Sequence, residues 1–146
     1  MHNATLRLSV ILVLTTLGIF IIDQNIKMLF VDGFRYYTDY MDLILVYNKG
    51  VAFSMLSFLG EYLKYIQLVF VGGVIGYTLK LGKLNYSMPV GLMVGGALSN
   101  VYDRFIHGGV VDMVYWHCWF DFAVFNFADV TIDFAVLWLL VLNIKK

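Results

Sequence analysis

Long uncharged segments dominate the pattern of hydrophobic and polar positions along the chain. Three of them occupy residues 8–22, 65–79 and 84–102, each between charged residues. A fourth apolar segment ends near the C-terminus, and its apolar character begins before Asp133. Since a helix rises 1.5 Å per residue and a bilayer core is roughly 30 Å thick, a spanning helix needs about 20 residues. The pattern therefore predicts four membrane-spanning helices, at about 7–26, 62–80, 84–103 and 126–144.

Two longer connections separate these helices. The first, 30–60, contains two strand-like runs, DLILVYN and VAFSML, on either side of Lys49 and Gly50. β-branched and aromatic residues around a central glycine are typical of a β-hairpin, here lying on the membrane surface. The second, 104–125, is rich in Trp, Tyr and Phe, which membrane–water interfaces favour. The predicted fold is an α-helical membrane protein of one domain, with four spans and a small β-hairpin.

Helices two and three each contain a GxxxG pattern, formed by Gly72 and Gly76 and by Gly91 and Gly95. Small residues at this spacing let two helix backbones approach closely in a membrane. We therefore expect both pairs to lie at contacts between helices.

The composition agrees with a membrane location. Hydrophobic residues make up 61% of the chain and charged residues 14%, whereas soluble domains are about 25% charged. A formal net charge of zero argues against nucleic acid as a partner, because such proteins carry a basic surface. The single cysteine and three unclustered histidines predict neither a disulfide framework nor a metal site.

The distribution of basic residues predicts the orientation. In a four-span topology both termini and the short connection between helices two and three lie on one side. That side carries five basic residues and no acidic ones: Arg7, Lys80, Lys83, Lys145 and Lys146. Basic loops remain in the cytoplasm, so we expect cytoplasmic termini and a working face on the extracytoplasmic side.

Polar residues in or beside the spans are energetically costly and suggest function. Asp23 and Lys27 are four residues apart, so an ion pair on one face of the first helix is expected. Asn100 and Arg104 have the same spacing at the outer end of the third helix. Arg104 could snorkel to the surface and pair with Asp103, but Asn100 lies in an apolar run.

Three acids are candidates for chemistry at the outer membrane surface: Asp112, Asp129 and Asp133. Two carboxyl groups held close together share a proton, so that one acts as a base on water and the other as an acid. A proton-relay pair in a transporter would have the same composition, and a membrane assembly subunit is a further alternative. Spacing alone selects neither the function nor the pair.

Four blocks of the sequence resemble the prolipoprotein signal peptidases, also called signal peptidase II, and they occur in the family's order. DQNIK at 23–27 resembles D-Q-x-x-K, and YNKGVAFS at 47–54 resembles N-x-G-x-A-F-S. GGALSNVYDRFIHGGVVDM at 95–113 resembles a long block that contains N-x-x-D-R and ends in V-V-D followed by Phe or Tyr. FNFAD at 125–129 resembles F-N-x-A-D.

This resemblance implies an aspartyl endopeptidase of the bacterial inner membrane. The family cuts the signal peptide of a lipoprotein precursor just before the diacylglyceryl-modified cysteine. The resemblance maps the catalytic pair onto Asp112 and Asp129. It maps the pocket and its support onto seven other residues: Asp23, Lys27, Asn48, Gly50, Asn100, Arg104 and Asn126.

The resemblance also implies partners and departures from the family pattern. Expected partners are lipid-modified prolipoproteins, membrane lipid and the inhibitor globomycin, with no metal or organic cofactor, and a monomer is expected. The aromatic connection corresponds to a mobile flap over the site. Asp133 stands where family members carry a small or apolar residue, and the usual proline before the last block is absent at 122–125.

Overall fold

The structure is a computed structural model that describes residues 2–50 and 59–144. This part of the chain contains four long helices and two strands. A short 3-10 helix, Leu84–Tyr86, precedes the third long helix. In chain order the elements are α1 His2–Val31, β1 Met41–Asn48, α2 Tyr62–Leu81, α3 Ser87–Ile106, β2 Val110–Trp116 and α4 Phe127–Ile144.

The third helix lies at the centre of the bundle. Helices α1, α2 and α4 are each long and apolar enough to cross a membrane. Helix α3 is less apolar because it contains glycines and the polar residues Asn100, Asp103 and Arg104. It packs against all three other helices and has the most buried residues. Its polar groups therefore meet protein instead of lipid.

Two helices extend differently from their predicted spans. Helix α1 continues beyond 7–26 at both ends, from His2 to Val31. Asp23 and Lys27 do not end it, because both side chains are buried and paired inside the protein. The predicted third helix, 84–103, is divided into the 3-10 helix and α3, which continues to Ile106.

An apolar core joins one end of the bundle. It consists of Leu8, Leu12, Val71, Tyr86, Val90 and Val94, with Leu81, Leu139 and Leu142 packed against it. The Tyr86 hydroxyl donates a hydrogen bond to Asn143 Oδ1 at 2.9 Å. This end of the bundle therefore contains the start of α1, the end of α2, the start of α3 and the end of α4.

The GxxxG prediction is confirmed for α3 and wrong for α2. A Cβ atom on Gly91 would lie 2.7 Å from Thr15 Cβ, and one on Gly95 would lie 2.7 Å from the Thr16 carbonyl oxygen, so α1 and α3 approach closely. Within the described ranges, nothing lies within 4 Å of a Cβ built on Gly72 or Gly76. The buried residues of α2, namely Leu63, Val71 and Thr78, lie on another face of that helix.

The two strands form an antiparallel sheet that differs from the predicted hairpin. Strand β1 coincides with the first predicted run, but it pairs with β2, so that Asn48 lies opposite Val110 and Met41 opposite Trp116. The register shifts between Leu43 and Val46. The second run of the hairpin, 51–56, lies outside the described residues.

Strand β2 belongs to the connection that was interpreted as an aromatic loop. Its first four residues are buried. Val111 and Met113 form a small core with Phe30, which α1 supplies because it continues to Val31. Asp112 lies between these two residues on the strand, so its side chain points to the opposite face. It is buried there as well.

Candidate active site

Asp129 is positioned by the local sequence at the start of α4. The Asn126 Oδ1 atom accepts a hydrogen bond from the Asp129 backbone N–H at 2.8 Å. The Asp129 Oδ2 atom accepts one from the Asn126 backbone N–H at 3.1 Å. This reciprocal pair is a capping box, which satisfies backbone groups that a helix start leaves free. The FNFAD block therefore fixes the Asp129 carboxyl group at a helix N-terminus.

Asp112 lies on β2 and is held by two asparagine amides. Asn126 Nδ2 donates to Asp112 Oδ1 at 2.8 Å, and Asn48 Nδ2 donates to Asp112 Oδ2 at 3.0 Å. Asn48 is the last residue of β1. The strand pairing thus brings one amide to the carboxyl group, and the cap of α4 brings the other.

The surroundings of Asp112 favour its protonated form. The pKa of Asp112 is raised from 3.8 to about 7, chiefly by burial and also by the nearby Asp129 carboxylate. Hydrogen bonds from Asn48 and Asn126 oppose this rise because they stabilise the charged form. A carboxyl group with this pKa can hold or release a proton near neutral pH.

Asn100 joins the two acids through its amide. Its Nδ2 donates to Asp129 Oδ1 at 2.9 Å. Its Oδ1 accepts hydrogen bonds from Asn126 Nδ2 at 3.1 Å and from Lys27 Nζ at 2.7 Å. Two asparagines, Asn126 and Asn100, therefore link Asp112 and Asp129 in one hydrogen-bonded chain.

A buried ionic cluster lies behind this chain. Lys27 Nζ is 2.6 Å from Asp23 Oδ2 and 2.7 Å from Asp103 Oδ2. Both carboxylates are fully buried, and the lysine nearly so. The predicted pair of Asp23 and Lys27 is thus confirmed, but it lies in the interior instead of at the membrane surface.

The two carboxylates of this cluster also hold the elements that carry the candidate acids. Asp23 Oδ1 accepts a hydrogen bond from the Ala128 backbone N–H at 2.8 Å, at the start of α4. Asp103 Oδ2 accepts one from the Val111 backbone N–H at 3.1 Å, beside Asp112 on β2. The cluster therefore sets the positions of both acids relative to α1 and α3.

Arg104 binds the chain at the end of β1. It donates to the carbonyl oxygens of Lys49, at 3.3 Å, and of Gly50. The predicted pairing with Asp103 is wrong: within the described residues Asp103 forms its salt bridge with Lys27. Arg104 Nε is buried and has no hydrogen-bond partner in this part of the structure.

The candidate acids face a cavity of about 290 Å³. Six of the nine predicted site residues line it: Asn48, Gly50, Asn100, Arg104, Asp112 and Asp129. The other three, Asp23, Lys27 and Asn126, lie behind them and bond to them or to their elements. A larger cavity of about 730 Å³ at the other end of the bundle contains neither acid.

Several residues of the site were missed from the sequence. Asp103 lies in the D-R step of the third block, which was a usable signal. Gln24 is the Q of the D-Q-x-x-K block, which was also a signal, and its Nε2 donates to Asp103 Oδ1 at 2.7 Å. Ser99 carried no signal, yet its hydroxyl donates to Asp23 Oδ2 at 2.6 Å. Gln67 of α2 lines the cavity, as does Asp133 of α4. Among the described residues, no group of three His, Cys, Asp or Glu side chains could hold a metal ion.

Comparison with known families decides the class of protein. The family model of signal peptidase (SPase) II matches residues 15–145. The chain belongs to the signal peptidase II family. Relatives named lipoprotein signal peptidase include that of Sulfurimonas denitrificans, which is 74% identical over 99% of this chain and 95% of its own. That of Sulfurovum sp. is 56% identical over 94% of each chain.

Solved structures share the fold. Two structures of a bacterial membrane enzyme, obtained by the in meso method, superpose with TM-scores of 0.81 and 0.79. Each covers 92% of this chain, at 23% and 22% identity, and the matched shares of those chains are 87% and 93%. The fold is therefore that of a known membrane enzyme.

Family membership confirms the resemblance drawn from the four sequence blocks. The protein is a signal peptidase II, an aspartic endopeptidase, and a multi-pass bacterial membrane protein. Membership of this family excludes the two alternative functions that composition alone had left open, a transporter and a membrane assembly subunit.

Proposed function

We propose that this signal peptidase II removes the signal peptide of diacylglyceryl-modified prolipoproteins, cutting before the lipid-modified cysteine, with Asp112 and Asp129 as its catalytic pair. The observation that carries the proposal is the hydrogen-bonded chain from Asp112 through Asn126 and Asn100 to Asp129. It holds two carboxyl groups beside one cavity, as an aspartyl protease requires.

The two acids have different surroundings, which suggests different roles. Asp112 is the acid that holds the proton, because burial and the Asp129 carboxylate raise its pKa to about 7. Asp129 is the base, because it lies in the first turn of α4, where the helix dipole favours a negative charge, and its Oδ2 accepts a hydrogen bond from the Asn126 backbone N–H. One proton shared between the two groups is then present near neutral pH.

Hydrolysis follows from these two states. Asp129 takes a proton from a water molecule, whose oxygen attacks the scissile carbonyl carbon while Asp112 gives its proton to the carbonyl oxygen. A tetrahedral diol results. Asp129 then gives its proton to the leaving nitrogen, the C–N bond breaks, and a diol hydroxyl returns a proton to Asp112. Both acids end in their starting states.

Arg104 holds the backbone after β1 against the site. Its guanidinium group binds the Lys49 and Gly50 carbonyl oxygens, and the residue lines the same cavity as the acids. A fixed N–H donor there stabilises negative charge that develops on the substrate.

We propose an orientation in the membrane with the site outside the cytoplasm. The core that joins Leu8, Leu81 and Leu142 brings the basic ends of the helices together, whereas the acids lie at the starts and ends of elements at the other end of the bundle. Basic residues remain in the cytoplasm, so both termini are cytoplasmic and the site is extracytoplasmic. We further propose that the enzyme acts as a monomer, needs no cofactor and is inhibited by globomycin.

Cleavage of a diacylglyceryl-modified prolipoprotein by the purified protein in detergent tests the function. The wild type should release the signal peptide, and globomycin should stop this. Asp112→Asn and Asp129→Asn should each lower kcat/KM by at least about a thousandfold, because each removes one half of the proton exchange.

Asp39→Asn is the matched control, because this exposed acid lies outside the cavity and its substitution should leave cleavage unchanged. Folding of each variant is checked by its melting temperature. A folded Asp112→Asn or Asp129→Asn protein that still cleaves would remove that residue from the catalytic pair.

A further inference from the structure

Two polar side chains line the cavity without belonging to the hydrogen-bonded chain of the acids. They are Gln67 on α2 and Asp133 on α4. Asp133 follows Asp129 by one helical turn, so it lies about 6 Å further along α4, away from the helix start. The cavity therefore extends along α4 past the catalytic pair to the exposed Asp133, and α2 contributes Gln67 to its lining.

Both side chains present hydrogen-bond acceptors that are unused. Gln67 Oε1 is buried and has no hydrogen-bond partner among the described residues. In the same parts of the chain, no ion pair or hydrogen bond is found for the Asp133 side chain, although its helix is otherwise strongly apolar. Buried polar groups in folded proteins are almost always paired. Gln67 Oε1 is the exception to this rule at the cavity. Asp133 is exposed on the surface of the protein, and on an apolar helix at membrane depth its carboxyl group also needs a polar partner.

A substrate of this enzyme brings the donors that these acceptors lack. In a helix each backbone N–H donates a hydrogen bond to the carbonyl oxygen four residues earlier. A scissile carbonyl group that accepts such a hydrogen bond is not free for attack by water. The peptide must therefore unwind next to the cleaved bond. Unwinding releases backbone N–H groups, and at membrane depth these must find acceptors in the protein.

We propose that Gln67 and Asp133 form an acceptor subsite for the backbone N–H groups of the unwound substrate residues just before the cleaved bond. The subsite rests on the proposed function, and it makes both side chains positioning residues. It lies on the side of the acids from which a signal peptide reaches the site if its own helix spans the membrane. Asp133, which departs from the family pattern, adds a stronger acceptor to this subsite than an apolar residue could.

The test replaces single substrate N–H groups. A synthetic diacylglyceryl lipopeptide is prepared with one amide changed to an ester at successive positions before the cut, which removes one donor and keeps the chain length. With the wild type, the ester at a bound position should lower kcat/KM about tenfold, as expected for one hydrogen bond. Gln67→Met and Asp133→Leu should each cleave the all-amide lipopeptide about tenfold less well, through KM.

The decisive comparison is between enzyme and substrate changes. In Gln67→Met or Asp133→Leu, the ester at the partner position should cause no further loss, because its acceptor is already gone. Gln67→Glu and Asp133→Asn keep an acceptor oxygen and should retain most of the activity. Ile66→Ala and Phe134→Ala, on exposed faces of the same helices, should show the full ester effect of the wild type.

The outcomes separate this inference from the proposed function. If the wild type does not cut the all-amide lipopeptide, the function and the subsite are both wrong. If it does cut, and each ester lowers kcat/KM equally in all enzymes, the subsite alone is overturned. An inactive Asp133→Asn protein with unchanged KM would also overturn it, because Asp133 would then be a reacting acid.

Discussion

At the scale of single residues, neutral amides hold the proposed catalytic pair, Asp112 and Asp129. Asn48, Asn100 and Asn126 together supply a donor to each of three carboxyl oxygens. A lysine or arginine in their place would bind the charged form so strongly that both acids would stay ionised. Amides satisfy a buried carboxyl group and still allow it to carry a proton. Lys27 donates its hydrogen bond to Asn100, and its charge lowers the pKa of Asp112 less than the two amide hydrogen bonds do.

The raised pKa of Asp112 predicts how stability depends on pH. In the native protein this group keeps its proton up to about pH 7, whereas the unfolded chain releases it near 3.8. Between these values the native state binds more protons, so the free energy of unfolding falls as pH rises through this window. Asn cannot ionise. The melting temperature of Asp112→Asn relative to wild type should therefore increase from pH 4 to pH 8, by roughly 2–8 °C.

Thermal unfolding in detergent at both pH values measures this shift. Asp39→Asn, at an exposed acid, should show the same difference from wild type at pH 4 and pH 8. An Asp112→Asn protein whose difference from wild type is independent of pH would contradict the raised pKa.

At the scale of elements, close packing against α3 locates the other helices. Gly91 and Gly95 allow α1 to approach, and a Cβ atom on Gly96 would lie 2.8 Å from the Ala128 carbonyl oxygen of α4. Ala128 is also the residue whose N–H binds Asp23. The contact that sets the distance between α3 and α4 thus lies next to the start of α4 and to Asp129.

Two glycine substitutions distinguish a packing glycine from a lipid-facing one. Gly95→Ala should destabilise the protein by about 1–3 kcal/mol, because its methyl group would overlap the α1 backbone. Gly76→Ala meets open space and should be neutral or stabilising by up to about 1 kcal/mol, since alanine favours helix. Melting temperatures of the two variants give the comparison, and equal destabilisation would count against the close approach of α1 and α3.

At the scale of the whole molecule, one ionic cluster connects the parts. Lys27 pairs with Asp23 from its own helix and with Asp103 from α3. These acids hold the backbones of α4 and β2. Removing one member of such a buried group leaves a charge without compensation, which is strongly unfavourable. The catalytic geometry therefore depends on the assembled bundle.

The proposed orientation in the membrane is testable with cysteine labelling. The free Cys118 follows β2 and is partly exposed, so a membrane-impermeant maleimide should label it in intact spheroplasts. In a Cys118→Ser protein, a second substitution, Asn85→Cys, introduces a cysteine at an exposed position of the short 3-10 helix between α2 and α3. It should react only after the membrane is permeabilised. The reverse pattern would place the site in the cytoplasm.

The helices and the two candidate acids could be predicted from the amino-acid sequence alone. Apolar segments long enough for helices are visible in one dimension, because the bilayer requires a local run of apolar residues. The capping box of Asn126 and Asp129 is also local, and the four blocks carried both catalytic candidates. The ion pair of Asp23 and Lys27 followed from helical spacing alone.

The tertiary structure decided which distant segments meet. Strand β1 pairs with β2 instead of with its neighbour, Asp103 binds Lys27 instead of Arg104, and only one of two equal GxxxG patterns packs against a helix. Each choice depends on competition among contacts between residues far apart in the chain. Local spacing does not encode such competition, because the free energy gained depends on which surfaces are buried together.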